Sequence, residues 1–306
     1  MRKALRRGLL LLLLAASVLA VPAVANGRVL GDLYGSGDDG ADARRSGRSL
    51  NAVGLTTDGR LVRFSTDRPG RTRNIGKVQK GLSGDQSLIG IDYRVQDGKL
   101  YGVGDNGGIY TLSDRDASAS KVGQLTVGLM GTAFGVDFNP AANRLRVISD
   151  AGQNLRHNLD DATATTPPLA GMTQNDGTLT IPPATTPAAG VTGAAYTNND
   201  LDANTATTLF DIDTVNDTVV VQSPANAGLL APTGKLQVDA GTSVGFDIYS
   251  RNRFGVTQGN TGYATVSVLG RYSFFQVNLL TGKLSRIGGF RADTQVMDLA
   301  IPLDQG

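Results

Sequence analysis

From Asn51 onward the chain is written in short alternating runs of apolar and polar residues, broken by turn dipeptides. Asp58-Gly59 separates AVGLTT from RLVRFST, and Asp97-Gly98 separates IGIDYRV from KLYGVG. A period of two on both sides of such a dipeptide predicts two antiparallel strands and a tight turn, because Gly accepts the left-handed backbone that a short hairpin demands. Nowhere in this region does an apolar i, i+3, i+4, i+7 pattern run long enough to predict a helix. The predicted class is all-β.

The runs repeat. LIGIDY (88–93), AFGVDF (133–138), VTGAAY (191–196) and SVGFDI (243–248) align, and a degenerate fifth copy, VMDLAI, lies at 296–301. Their shared glycines, Gly90, Gly135, Gly193 and Gly245, with Asp298 in the fifth place, are spaced by 45, 58, 52 and 53 residues. Units of about 50 residues holding four short strands are the signature of propeller blades. The first unit, Asn51 to Leu82, has strands but no leading copy, whereas the fifth copy stands alone near the C-terminal end. Together they make one blade. The expected architecture is therefore a five-bladed β-propeller over 51–302, closed by the C-terminal strand joining the N-terminal blade, with a tail at 303–306. The repeated Gly is expected where inner strands crowd the axis and a Cβ would hold neighbouring backbones apart. The Thr- and Pro-rich stretch from Asp160 to Gly190 is expected as an exposed loop over one mouth of the ring.

Composition agrees with strands and turns. Gly supplies 40 of 306 residues, nearly twice the usual share of about 7%. All 27 acidic residues are Asp, a turn and cap former, and none is Glu, a helix former. The first 25 residues carry Arg2, Lys3, Arg6 and Arg7, an apolar run from Leu9 to Ala20, and Ala23-Val24-Ala25. That order describes a secretory signal peptide cut before Asn26, with the general export route favoured over the twin-arginine one. Residues 26–50, rich in Gly, Asp, Arg and Ser, are expected as a flexible lead segment. Without the leader, 25 basic residues stand against 27 aspartates. The electrostatic footprint of a nucleic-acid partner is then missing, as is a polybasic case for a membrane surface. The expected product is secreted, extracellular or periplasmic, and monomeric. With no Cys, thiol catalysis, disulfides and Cys-ligated zinc are excluded.

One stretch carries a resemblance. Asp137-Phe138-Asn139-Pro140 followed by Arg144-Leu145-Arg146-Val147, together with TTLFDID (207–213) and the recurring glycine-bearing strands, resembles an uncharacterised bacterial family, "domain of unknown function" four-three-nine-four. The resemblance covers about 51–302. It implies an exported propeller-like domain and brings no activity or catalytic residues to carry over.

Candidate chemistry is sparse. Asp92, Asp137 and Asp247 recur on the inner strands, with Ala195 and Ala300 in the matching places. Such acids near an axis can cap backbone N–H groups or pair with Arg between blades; they can also bind a cation or sugar hydroxyls, or cleave a glycoside. Arg146, alternating with Arg144 on the strand after Asp137, is a candidate latch to Asp137 or a ligand for an anion. Asp200, Asp202 and Asn204 place oxygens at alternate positions like the first half of a calcium loop, without its Gly or its terminal Glu. Asp211 or Asp213 could complete that site; otherwise the segment is a series of turns. Calcium is the one cofactor suggested. His157, the single histidine, reads as a strand or surface residue rather than a catalyst. The leading functional expectation is a non-catalytic binding or scaffold module for a small-molecule or glycan ligand, using Asp92, Asp137, Arg146 and Asp247. The alternatives are a carboxylate-dependent hydrolase, glycosidase or esterase-like, and a purely structural envelope protein.

Overall fold

The structure, a computed structural model, describes residues 49–78 and 81–305. The expected leader and nearly all of the lead segment therefore lie outside the described residues. What is described is a ring of five four-stranded sheets, every strand pairing antiparallel.

The first blade runs, from the axis outward, β20 (Val296–Ala300), β1 (Asn51–Thr56), β2 (Arg60–Ser65) and β3 (Arg68–Lys77). The second holds β4 (Leu88–Tyr93), β5 (Leu100–Gly104), β6 (Gly108–Leu112) and β7 (Ala119–Gln124). The third holds β8 (Phe134–Asn139), β9 (Arg144–Ser149), β10 (Asn154–His157) and β11 (Thr173–Asn175). The fourth holds β12 (Val191–Tyr196), β13 (Leu209–Asp213), β14 (Thr218–Gln222) and β15 (Leu230–Lys235). The fifth holds β16 (Val244–Arg253), β17 (Val256–Val268), β18 (Arg271–Val277) and β19 (Leu284–Gly289). Inner strands touch in the order β4, β8, β12, β16, β20 and back to β4. The five-bladed ring and its closure by β20 on β1 are as the repeat predicts. Gln305 adds a clamp: its side chain both accepts from the Asn51 N–H (2.7 Å) and donates to the Asn51 carbonyl (2.9 Å).

The core is five apolar seams rather than one. Alternate residues of each strand face the blade before and the blade after, so each junction gathers its own cluster. The closing junction is the aromatic one, where Phe64 meets Phe274 and Phe290 edge-on at 5.2 and 5.3 Å. Outer strands carry the solvent burden. β3 is RPGRTRNIGK, and its charges and proline discourage edge pairing.

The Thr/Pro-rich stretch departs from expectation. It contributes β11, the outer strand of the third blade, and sends fully buried Leu179 into the seam with the fourth. Thr180 then bridges to Leu229. Leu179, with Ile181 and Ala188 packed against the same seam, pins what composition alone reads as a loop.

Candidate functional site

The repeated aspartates converge on the axis because their strands do. Asp92 lies on β4, Asp137 on β8 and Asp247 on β16, and one oxygen from each lies within 4.8 Å of the others. All three are buried. Each is also a latch between blades. Asp92 Oδ2 accepts the Phe138 N–H (2.8 Å), Asp137 Oδ1 accepts the Tyr196 N–H (3.2 Å), and Asp247 Oδ2 accepts the Ile301 N–H (2.6 Å). In every case the donor follows the position equivalent to the aspartate on the next inner strand. Ala195 leaves the junction of the fourth and fifth blades without this latch.

Asp298 closes the circuit. It occupies the glycine position of the repeat, and its Oδ2 accepts the Ile91 N–H at 2.7 Å. The sequence reading placed it only as a degenerate glycine; its role depends on inter-blade register, which no local pattern encodes.

These four carboxylates have no cationic partner: none of the ion pairs among the described residues includes them. Burial, and then the neighbouring carboxylates, push Asp92 and Asp137 well above the usual range. Burial lifts Asp247 to about 6 and Asp298 to about 8, the latter reinforced by Asp247.

Arg146 does not join them. It stands opposite Asp137 in the β8–β9 ladder, but its guanidinium turns away from the axis. It donates to Asn154 (2.7 Å), Asp176 (2.8 Å), Asn226 (2.8 Å) and the Tyr196 hydroxyl (3.2 Å). The expected Asp137–Arg146 latch is thus replaced by a fork joining the third blade to the fourth. Asp211, fully buried in the same seam, has neither carboxylate oxygen hydrogen-bonded among the described residues, and burial pushes its pKa well up.

Asp200, Asp202 and Asn204 lie in the loop between β12 and β13. Asp200 accepts from the Asp202 N–H (3.0 Å) and the Thr257 N–H (2.9 Å), and Asp202 accepts from the Asn204 N–H (2.8 Å). Neither suggested completing residue serves the loop: Asp211 is sealed between blades, and Asp213 accepts from Val215 and Asn216 at the far end of β13. The loop instead braces a hairpin that sequence reasoning missed. β16 and β17 run 10 and 13 residues where the inner and second strands of the other blades run 5 or 6. Asn199 N–H donates to Ser250 Oγ (2.8 Å), Asn252 Nδ2 to the Asn199 carbonyl (2.9 Å), and Asn260 Nδ2 to Asn198 Oδ1 (2.7 Å). At its tip Phe254 is 92% exposed.

His157 is buried on β10, with Nδ1 3.0 Å from Thr173 Oγ1 and no hydrogen-bond partner for Nε2 among the described residues. Burial, then the Arg144 charge, depress its pKa to about 4. The native state thus favours the neutral ring. That stability is present above the unfolded value of about 6.5 and is lost as pH falls toward 4. Between those values His157→Gln should show roughly 2 kcal/mol less acid destabilisation than wild type in urea titrations. Parallel pH profiles would contradict the buried neutral ring.

The family model described as Domain of unknown function (DUF4394) matches residues 60–300. No curated protein matches the sequence. Among solved structures, similarity is found to a nidogen/laminin complex chain at 12% identity, covering 85% of this chain and 100% of that one, with a TM-score of 0.46. An auxiliary nutrient binding protein from Bacteroides thetaiotaomicron VPI-5482 is similar at 12% identity, over 79% of this chain and 58% of that one, with a TM-score of 0.41. A Myxococcus xanthus glutaminyl cyclase is similar at 12% identity, over 70% and 69% of the two chains, with a TM-score of 0.34. The chain belongs to the DUF4394 family.

Proposed function

We propose that this member of the DUF4394 family is an exported, non-catalytic binding module that takes a glycan against the braced hairpin of its fifth blade. The observation that carries the reading is Phe254. It sits at φ +55 beside Gly255 at φ +79, in a two-residue hairpin turn. Asn or Gly is the natural choice at the first of those positions, and a bulky ring there is strained. An aromatic that is both strained and 92% exposed is not retained for packing. The hairpin beneath it is fixed by hydrogen bonds from the 198–204 loop, so the ring is presented at little ordering cost. The Arg253 guanidinium lies 5.1 Å from the ring centroid and, with Arg251 and Gln258 on the same hairpin, supplies polar groups suited to sugar hydroxyls. Leu269, 96% exposed in the matching turn at the other end of β17, offers no flat face for a sugar ring.

The axial aspartates favour a scaffold over the hydrolase alternative, since Asp92, Asp137, Asp247 and Asp298 all spend an oxygen on a neighbouring backbone. The test is calorimetric titration of the full chain with a panel of soluble polysaccharides. At least one should bind. Phe254→Ala should weaken it about tenfold, while Leu269→Ala leaves it unchanged. Absence of any binding, or binding indifferent to Phe254, overturns the reading. Turnover of a glycoside or ester that Asp137→Asn abolishes would replace it with the hydrolase.

A further inference from the structure

Buried carboxylates in mutual contact cannot stay ionised without a countercharge. Asp92, Asp137 and Asp247 meet within 4.8 Å, and among the described residues neither Lys nor Arg pairs with them. Their backbone contacts leave lone pairs unused, because a carboxylate offers about four acceptor sites.

A second, separate feature lies beside them. Thr265 is fully buried and its hydroxyl has no hydrogen-bond partner among the described residues. It stands on β17 opposite Gly245 of β16, which lies two residues before Asp247 and on the same face. The place a Cβ on Gly245 would fill lies 2.6 Å from Thr265 Oγ1 and 2.8 Å from Asp298 Oδ1. The absent side chain thus lets Asp298 and the unpaired Thr265 hydroxyl close in on one another at the edge of the cluster, with no room for a Cβ between them.

We propose that Asp92, Asp137 and Asp247 hold one divalent cation of the calcium class on the propeller axis, with Asp298 and Thr265 packed together at the edge of the site. Calcium sits 2.3–2.6 Å from its oxygens, so two ligands of one shell are at most about 5 Å apart. That is the spacing found. The donor set is oxygen only, which suits a hard cation and not zinc or copper. One ion there ties the second, third and fifth blades together at the centre. It also relocates the calcium suggested by the Asp200 loop to a place with uncompensated charge.

The experiment is thermal unfolding of the full chain, stripped with EDTA and then titrated with CaCl₂ or MgCl₂. Calcium should raise the midpoint saturably by at least about 5 °C, and magnesium by less. Asp137→Asn and Asp247→Asn keep an oxygen for the Tyr196 and Ile301 N–H groups and should fold but lose the response. Asp200→Asn should keep it. Elemental analysis of the wild type serves as a readout that does not depend on any variant folding, and should find one calcium per chain. A wild type that neither retains metal nor shifts with calcium overturns the proposal. So does a response that survives both axial variants and disappears in Asp200→Asn.

Discussion

Arg146→Ala should cost about 3–5 kcal/mol of unfolding free energy and lower the midpoint by roughly 10 °C. The side chain is 2% exposed and Asp176, its charged partner, 4%. Removing it takes one of two guanidinium partners from Asp176, which keeps the Arg156 fork on both oxygens at 3.1 Å, and takes from Asp211, buried and unbonded among the described residues, the positive charge that favours its ionised form. It also unpairs the Asn226 oxygen, which belongs to the fourth blade. The loss is therefore dominated by uncompensated buried polar groups, and not by the attraction itself. Arg146→Lys restores the charge but cannot fork to Asn154, Asp176, Asn226 and Tyr196 together, so it should recover only part of the loss. Arg68→Ala is the contrast. Its pair with Asp67 is exposed on both sides (59% and 46%) and should change stability by less than about 1 kcal/mol. Chemical denaturation of the three variants decides the matter. If Arg146→Ala falls within about 1 kcal/mol of wild type, the fork contributes nothing net and the third and fourth blades are held by their apolar seam alone.

That fork marks where sequence reasoning stops. The repeat, the blade count and the closure by VMDLAI were legible because they depend on strand period and on glycine spacing, both local properties. The pairing register of Asp137 with Arg146 was legible for the same reason. The hydrogen bonds Arg146 makes were not, since Asp176 and Asn226 stand 30 and 80 residues away. Asp298 was hidden similarly: its acceptor role exists only because β20 docks against β4, a contact between residues 207 positions apart. The hairpin was hidden by its composition. SRNRFGVTQGN is poor in β-branched and aromatic residues, so propensity reads it as a loop. The tertiary braces from Asn198, Asn199 and Asp200 extend the strands over it.

The repeated glycine carries the other large expected effect. Gly135→Ala should destabilise by about 3 kcal/mol or more, well beyond the usual cost of a surface Gly→Ala change. A Cβ there would lie 2.8 Å from the Ala194 nitrogen, 2.9 Å from the Thr192 carbonyl oxygen and 3.0 Å from the Gly193 carbonyl carbon. These are backbone atoms of β12, so no rotamer change can relieve the clash. The inner strands must part, and parting them lengthens the neighbouring Asp137–Tyr196 latch, already 3.2 Å. Gly245→Ala should behave alike, with its Cβ only 2.4 Å from the Asp298 Cα. Gly59→Ala separates the two reasons a chain can need glycine. Nothing lies within 4 Å of its Cβ position, but φ is +79, so its penalty should be the left-handed backbone alone, about 1–2 kcal/mol. Urea unfolding of the three variants should therefore rank Gly135 and Gly245 clearly above Gly59. Equal penalties would mean that the repeat conserves a backbone conformation and not a close approach, and the crowding argument for the inner ring would fail.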